Sequence, residues 1–106
     1  MSESVNLVRI SENIRRYLIS IVRATRDSEN VRLGASPRGS IALYKASQAY
    51  ALMSGRDFVI PDDVKLLSGP VLAHRIILSS NASLRGITQQ SVIRDILETI
   101  SVPIEY

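Results

Sequence analysis

Four stretches of this chain space their apolar residues with the period of a helix. In the first, Ile14, Tyr17, Leu18, Ile21 and Val22 fall at i, i+3, i+4, i+7 and i+8, which puts them on one face. Ser11 ahead of them is suited to cap the free N–H groups of the first turn, and Glu12 to the positive end of the helix. The pattern fades at Thr25-Arg26-Asp27, and Ser28-Glu29-Asn30 reads as a turn. The second stretch runs from Ser36, an N-cap residue, and Pro37, suited to the first helical position, to Gly55, a residue that commonly follows a helix end. Ile41, Leu43, Tyr44, Leu52, Met53 and a series of alanines leave it few polar positions, so it is expected at the buried centre of the domain. A third helix starts at Pro61-Asp62-Asp63, with two acids in its first turn. Pro70 within it is expected to kink or split it. The fourth follows Thr88 as N-cap and carries Val92, Ile93, Ile96, Leu97 and Ile100 on one face, with Pro103 ending the run.

Between these helices, 58–60 reads as a short extended step. Residues 76–78 read as a short strand or a helix end, and Ser79 to Gly86 as a polar loop. No internal repeat, low-complexity tract or linker interrupts the series. The expected fold is all-α, a compact bundle of about four helices in a single domain spanning 1–106.

Composition narrows the function classes. The chain has 106 residues, 45% of them apolar, enough for a small core and unlike a disordered chain. It has no cysteine, which excludes a disulfide scaffold, a thiolate zinc site and a cysteine nucleophile. It shows no signal pattern and no apolar run near the roughly 20 residues of a membrane span. A soluble, cytoplasmic protein is expected. The net charge of +3 is uneven. Residues 1–56 hold nine Lys/Arg against four Asp/Glu, and residues 57–106 hold four against six. A basic half can serve phosphate or nucleic acid, or simply solvate helix faces.

Catalytic groups do not converge. His74 is the single histidine and is expected as a surface residue. Asp62 and Asp63 are better explained as helix N-terminal charges than as metal ligands, so no metal site is expected. The stretch LGASPRGSIAL, residues 33–43, superficially resembles a phosphate-binding P-loop. Gly34 and Gly39 have its separation and Ser40 follows, but the lysine is missing. Pro37 also starts a helix before the second glycine, so no loop is left to wrap phosphate. What remains is Arg38 at the second position of a capped helix, where the helix dipole favours an anion and guanidinium can bind phosphate bidentately.

The order of motifs gives that arginine a context. LGASPRGSIAL is followed by Gly55-Arg56-Asp57-Phe58-Val59-Ile60-Pro61-Asp62-Asp63-Val64, by Val71-Leu72-Ala73-His74-Arg75 and by Val102-Pro103. It is preceded by Val22-Arg23-Ala24-Thr25-Arg26-Asp27. Over about residues 10–104 this resembles the C-terminal helical lid of MoxR-family AAA+ ATPases. The resemblance implies that the chain is a fragment of a longer ATPase whose core domain holds ATP and Mg2+. It implies that Arg38 is the sensor-2 arginine, touching the γ-phosphate, with Ser36, Pro37 and Arg38 forming the nucleotide-facing helix start. It implies a hexameric ring, chaperone-like maturation of partner complexes and partners that include von Willebrand factor A-domain proteins. The fragment, lacking Walker motifs, is expected to be inactive alone.

Two other readings compete. The block from Arg56 to Val64 is similar to the loop and last-helix start of histone-fold proteins, which would make the chain a small basic DNA-binding domain whose affinity falls steeply with salt. A plain protein-interaction bundle would leave Arg38 merely exposed.

Overall fold

Residues 7–104 are described by a computed structural model. Helix α1, Glu12–Asp27, begins where Ser11 Oγ accepts from Ile14 N at 3.2 Å, and it buries the expected face of Ile14, Tyr17, Leu18, Ile21 and Val22. Strand β1, Val31–Leu33, leads to helix α2, Pro37–Met53. Helix α3, Pro61–Leu72, tightens into a 3-10 turn at Ala73–Arg75. Strand β2, Ile77–Leu78, the short helix α4, Ser80–Leu84, and helix α5, Gln89–Thr99, complete the order. The architecture is mostly α, as the apolar spacing predicts.

Helix α2 packs along α3, α1 lies across both, and α5 closes against α1 and α3. Ile14, Leu18 and Ile21 of α1 meet Leu43, Val64, Leu72, Val92 and Ile93 in one core. Burying a side chain of this size contributes roughly 1.5–3 kcal/mol, so this layer supplies most of the drive to fold. Gly55 ends α2 with φ +83°. Gly55 N donates to Leu52 O at 3.0 Å and Arg56 N to Ala51 O at 2.9 Å, the paired bonds that close a helix end.

Several expectations need correction. Helix α2 is not enclosed: Gly39, Leu43, Ser47, Gln48 and Ala51 are buried, but Ile41, Tyr50 and Met53 are exposed. Its many alanines make it apolar all round, yet α1 and α3 cover only one side. Pro70 does not split α3, which runs on to Leu72. The proline removes one bond, to the carbonyl of Leu66, and that residue is exposed enough for water to take its place. The polar loop at 79–86 contains α4, nucleated where Ser79 Oγ accepts from Ala82 N at 3.1 Å and anchored by the fully buried Ala82.

The extended segments find partners. Ile77–Leu78 is a strand and pairs antiparallel with β1, Val31 facing Leu78 and Leu33 facing Ile77. The step at Phe58 forms a parallel bridge with Arg9, in which Arg9 N donates to Asp57 O at 2.8 Å and Val59 N to Arg9 O at 2.9 Å. Gln48 of α2 holds the same incoming segment, donating through Nε2 to Val8 O at 2.8 Å.

Tyr17 has a consequence at high pH. Its phenol is buried, and its hydroxyl has no hydrogen-bond partner among the described residues. Burial, and secondarily the charge of Asp62, raise its pKa above the ordinary value of 10.0. The folded chain therefore keeps a proton that the unfolded chain loses, so this stability is full below pH 10 and lost as pH rises toward the folded pKa. Urea unfolding at pH 8 and pH 11 should show a steeper alkaline loss for the native sequence than for Tyr17→Phe. Equal slopes would exclude Tyr17 as the source.

Candidate functional site

The Gly-Ala-Ser-Pro-Arg-Gly stretch is positioned by the end of α1. A Cβ at Gly34 would stand 2.7 Å from Arg26 Cα and 2.8 Å from its N, so only glycine lets the chain pass there. Ala35 is fully buried. Its N donates to Thr25 Oγ1 at 3.0 Å, its O accepts from Arg26 Nε at 3.0 Å, and Thr25 Oγ1 donates to Val22 O at 2.6 Å. Two adjacent side chains of α1 thus hold both polar groups of one residue before α2. Removing the hydroxyl leaves a buried N–H unsatisfied, at a cost of about 1–3 kcal/mol. Thr25→Val should lose that much in urea unfolding and speed hydrogen exchange at Ala35. Unchanged exchange would show that the hydroxyl is not the clamp.

Ser36 occupies the N-cap with extended backbone and Pro37 the first helical position, as expected. The expected cap bond is absent: the Ser36 side chain accepts nothing from the helix. Its backbone carbonyl instead accepts from Gly39 N at 2.8 Å. With no side-chain cap, the Arg38 N–H, which has no intrahelical partner at this position, is open among the described residues. The first turn of α2 carries no acid, whereas α3 opens with Asp62 and Asp63. The positive end of the α2 dipole is therefore uncompensated within its own first turn.

Arg38 is exposed. It does not line the concavity of about 460 Å3 beside it, whose walls include Ser36, Pro37, Leu33, Arg26 and Arg75. Arg75 reaches this place from the far end of α3: its Cδ would lie 3.6 Å from a Cβ at Gly39, and Leu72 Cδ2 3.4 Å from it. Gly39 so brings the end of α3 against the start of α2. Neither Arg38 nor Arg75 has a carboxylate within 4.0 Å among the described residues. Sequence reasoning placed Ser36, Pro37 and Arg38 together at a helix start, and they are. It did not single out Arg26 and Arg75 as their neighbours, because nothing local in the chain brings residues so far apart to one wall.

The other candidates resolve simply. His74 is exposed on the 3-10 turn. Asp63 is buried, accepts from Ile60 N at 2.9 Å, and takes both guanidinium arms of Arg56, at 2.8 and 2.7 Å. It is occupied as a helix-start acid. No group of three or more His, Cys, Asp or Glu suited to a metal occurs among the described residues. No helix there is long and apolar enough to cross a membrane.

Comparison with known proteins supports this fold. Residues 23–96 match the AAA lid domain family. The chain is 44% identical over 105 residues to the uncharacterized protein YeaC of Bacillus subtilis (strain 168), covering 99% of this chain and 33% of that protein. It is 38% identical over 96 residues to the chaperone MoxR1 of Mycobacterium tuberculosis, covering 82% of this chain and 26% of that one. It thus spans about a third or less of the length of these relatives. The crystal structure of a putative ATPase from Cytophaga hutchinsonii superimposes with a TM-score of 0.90 at 33% identity, over 96% of this chain and 34% of that one. The chain belongs to the AAA lid domain family, and within it to the lids of MoxR-family AAA+ ATPases.

Proposed function

We propose that this chain closes over ATP held by the nucleotide-binding core of a longer MoxR-type ATPase, with Arg38 as the sensor-2 arginine. The observation that carries the reading is the start of α2: an arginine at its second position, no acid in its first turn, and Arg75 standing across from it without a counter-charge among the described residues. Such an end suits the charge of a nucleotide's phosphates. The charged side chains here, Arg26, Arg38 and Arg75, are all cationic and no carboxylate lines the concavity, so the place suits phosphate oxygens and not Mg2+. In this reading the core holds the metal and most of the nucleotide, and this chain alone turns over no ATP. Bound ATP supplies the bond that is cleaved. Arg38 stabilises the charge that builds on the phosphoryl oxygens, and Ser36 and Pro37 aim it.

The fold also supports a coupling role in this reading. Helix α2 is clamped to α1 through Thr25 and Arg26, and to α3 where Gly39 meets Leu72. A force on Arg38 therefore moves the lid as one body, which is how a change at the phosphates becomes a domain movement. The same reading includes a ring of subunits, a cytoplasmic setting and chaperone-like work on partner complexes, among them von Willebrand factor A-domain proteins. The family match leaves the histone-fold alternative without support. The test is ATP turnover by the complete ATPase with and without Arg38→Ala. Full turnover in the variant would return Arg38 to an ordinary surface role.

A further inference from the structure

A second surface lies on the outer side of the bundle. A groove of about 180 Å3 runs between α1 and α2, with the buried Leu18 at its floor, Ile19 and Ile41 exposed on its two walls, and Tyr44, Arg15 and Lys45 beside them. Sites that enclose a small ligand measure roughly 300–1,000 Å3. This groove is too small for that and suits one bulky apolar side chain.

Helical spacing extends both walls in the same way. On α1, Arg15, Ile19 and Arg23 follow at i, i+4 and i+8; on α2, Arg38, Ile41 and Lys45 follow at i, i+3 and i+7. Each wall thus sets one isoleucine between two cations. Glu12 pairs with Arg15 and Arg16. Arg23, Arg38 and Lys45 have no carboxylate within 4.0 Å among the described residues, Asp27 included. Of the two cations that line the groove, Arg15 is paired with Glu12 and Lys45 is unpaired among the described residues; an apolar anchor point beside Lys45, with Arg23 further along the α1 wall, has the form of a binding hot spot. The uncompensated sign of Lys45 and Arg23 specifies the partner.

The geometry points to the α1–α2 groove as a docking surface for an acidic segment of a partner protein, which inserts one bulky apolar side chain between Ile19 and Ile41 and sets carboxylates against Arg23 and Lys45. The inference rests on the groove, Arg23 and Lys45; Arg38 does not line the groove and is not required by it, so the inference stands or falls apart from the nucleotide role of Arg38.

The probe is a blocked helical peptide of Glu and Ala with a single central Leu, titrated into this chain while the isoleucine methyl signals are followed by NMR. Saturable shifts are expected at Ile19 and Ile41, with Ile77, exposed on β2 outside the groove, unmoved. Lys45→Glu should weaken binding roughly tenfold or more, as loss of a close charge pair does. The same peptide with Lys for Glu should not bind. Equal binding when the Leu is replaced by Ala would reduce the effect to bulk charge and overturn the proposal. Absence of saturable shifts would also overturn it. So would shifts at Ile19 and Ile41 that depend on chain concentration alone, which assign the groove to a second copy. Protection of the same methyls in the complete ATPase without peptide would assign it to the core instead.

Discussion

Arg38→Ala in the complete ATPase is expected to lower ATP turnover about 30- to 1000-fold while nucleotide remains bound. The magnitude follows from the loss of one charge-assisted donor that acts mainly in the transition state, about 2–4 kcal/mol. The side chain is exposed and makes no ion pair among the described residues, so its removal breaks no ion pair of the bundle. A fall in turnover with an unchanged melting temperature is therefore assignable to the phosphates and not to the fold. Arg38→Lys separates charge from shape: it keeps the charge and loses the planar fork, and an intermediate rate is expected. If alanine lowered nucleotide affinity and left the maximal rate intact, Arg38 would be a binding residue with no part in hydrolysis.

The largest effect on stability is expected from Arg56→Ala. Asp63 is 1% exposed, and its carboxylate is met by two guanidinium arms and the N–H of Ile60. Without Arg56 the carboxylate stays buried with one donor, and breaking a buried pair in this way costs about 3–5 kcal/mol. The Arg56 side chain is 23% exposed, so water reaches part of the site and the lower end of that range is expected. Against the total of about 5–15 kcal/mol typical of a domain, even that is a large share. Arg56 also donates to Phe58 O at 3.0 Å and lies over the Phe58 ring, so the loop before α3 should loosen with it. Urea midpoints of Arg56→Ala and of the double variant with Asp63→Leu measure the pair. Recovery in the double variant is expected, because the stranded charge is gone. A midpoint for Arg56→Ala close to that of the native chain would show the pair to be dispensable.

The parts of this structure that could be read from the chain are those whose cause is local. One apolar stripe defines α1 and another defines α5; Pro37 and Gly55 mark the ends of α2, and each acts through its own backbone. What escaped reading depends on pairings across the chain. Val31–Leu33 is too short to announce a strand, and its partner is β2, beyond two helices. Helix α4 is written in serine and asparagine, which signal a loop until Ala82 is seen to be buried. The exposed side of α2 was hidden because alanine carries no information about which face looks out. At the site, Arg38 was legible from its place after Ser36 and Pro37. Arg26 and Arg75 stood only within motifs that carried the family resemblance, and their meeting beside Gly34 and Gly39 needs the fold. The Arg56–Asp63 pair was likewise read only as two separate motif residues.

The bridge at Arg9 bears on how load enters the domain. Val8 is tied to the middle of α2 by Gln48, and Arg9 to the loop before α3 by two backbone bonds. Tension drawn through this segment is shared between α2 and the loop before α3 ahead of α1. The bonds at Arg9 belong to a parallel bridge, so a pull along the segment shears them together instead of peeling them one by one. The domain is thus built like a handle riveted to its plate at two points, able to be hauled from that side without being unwound.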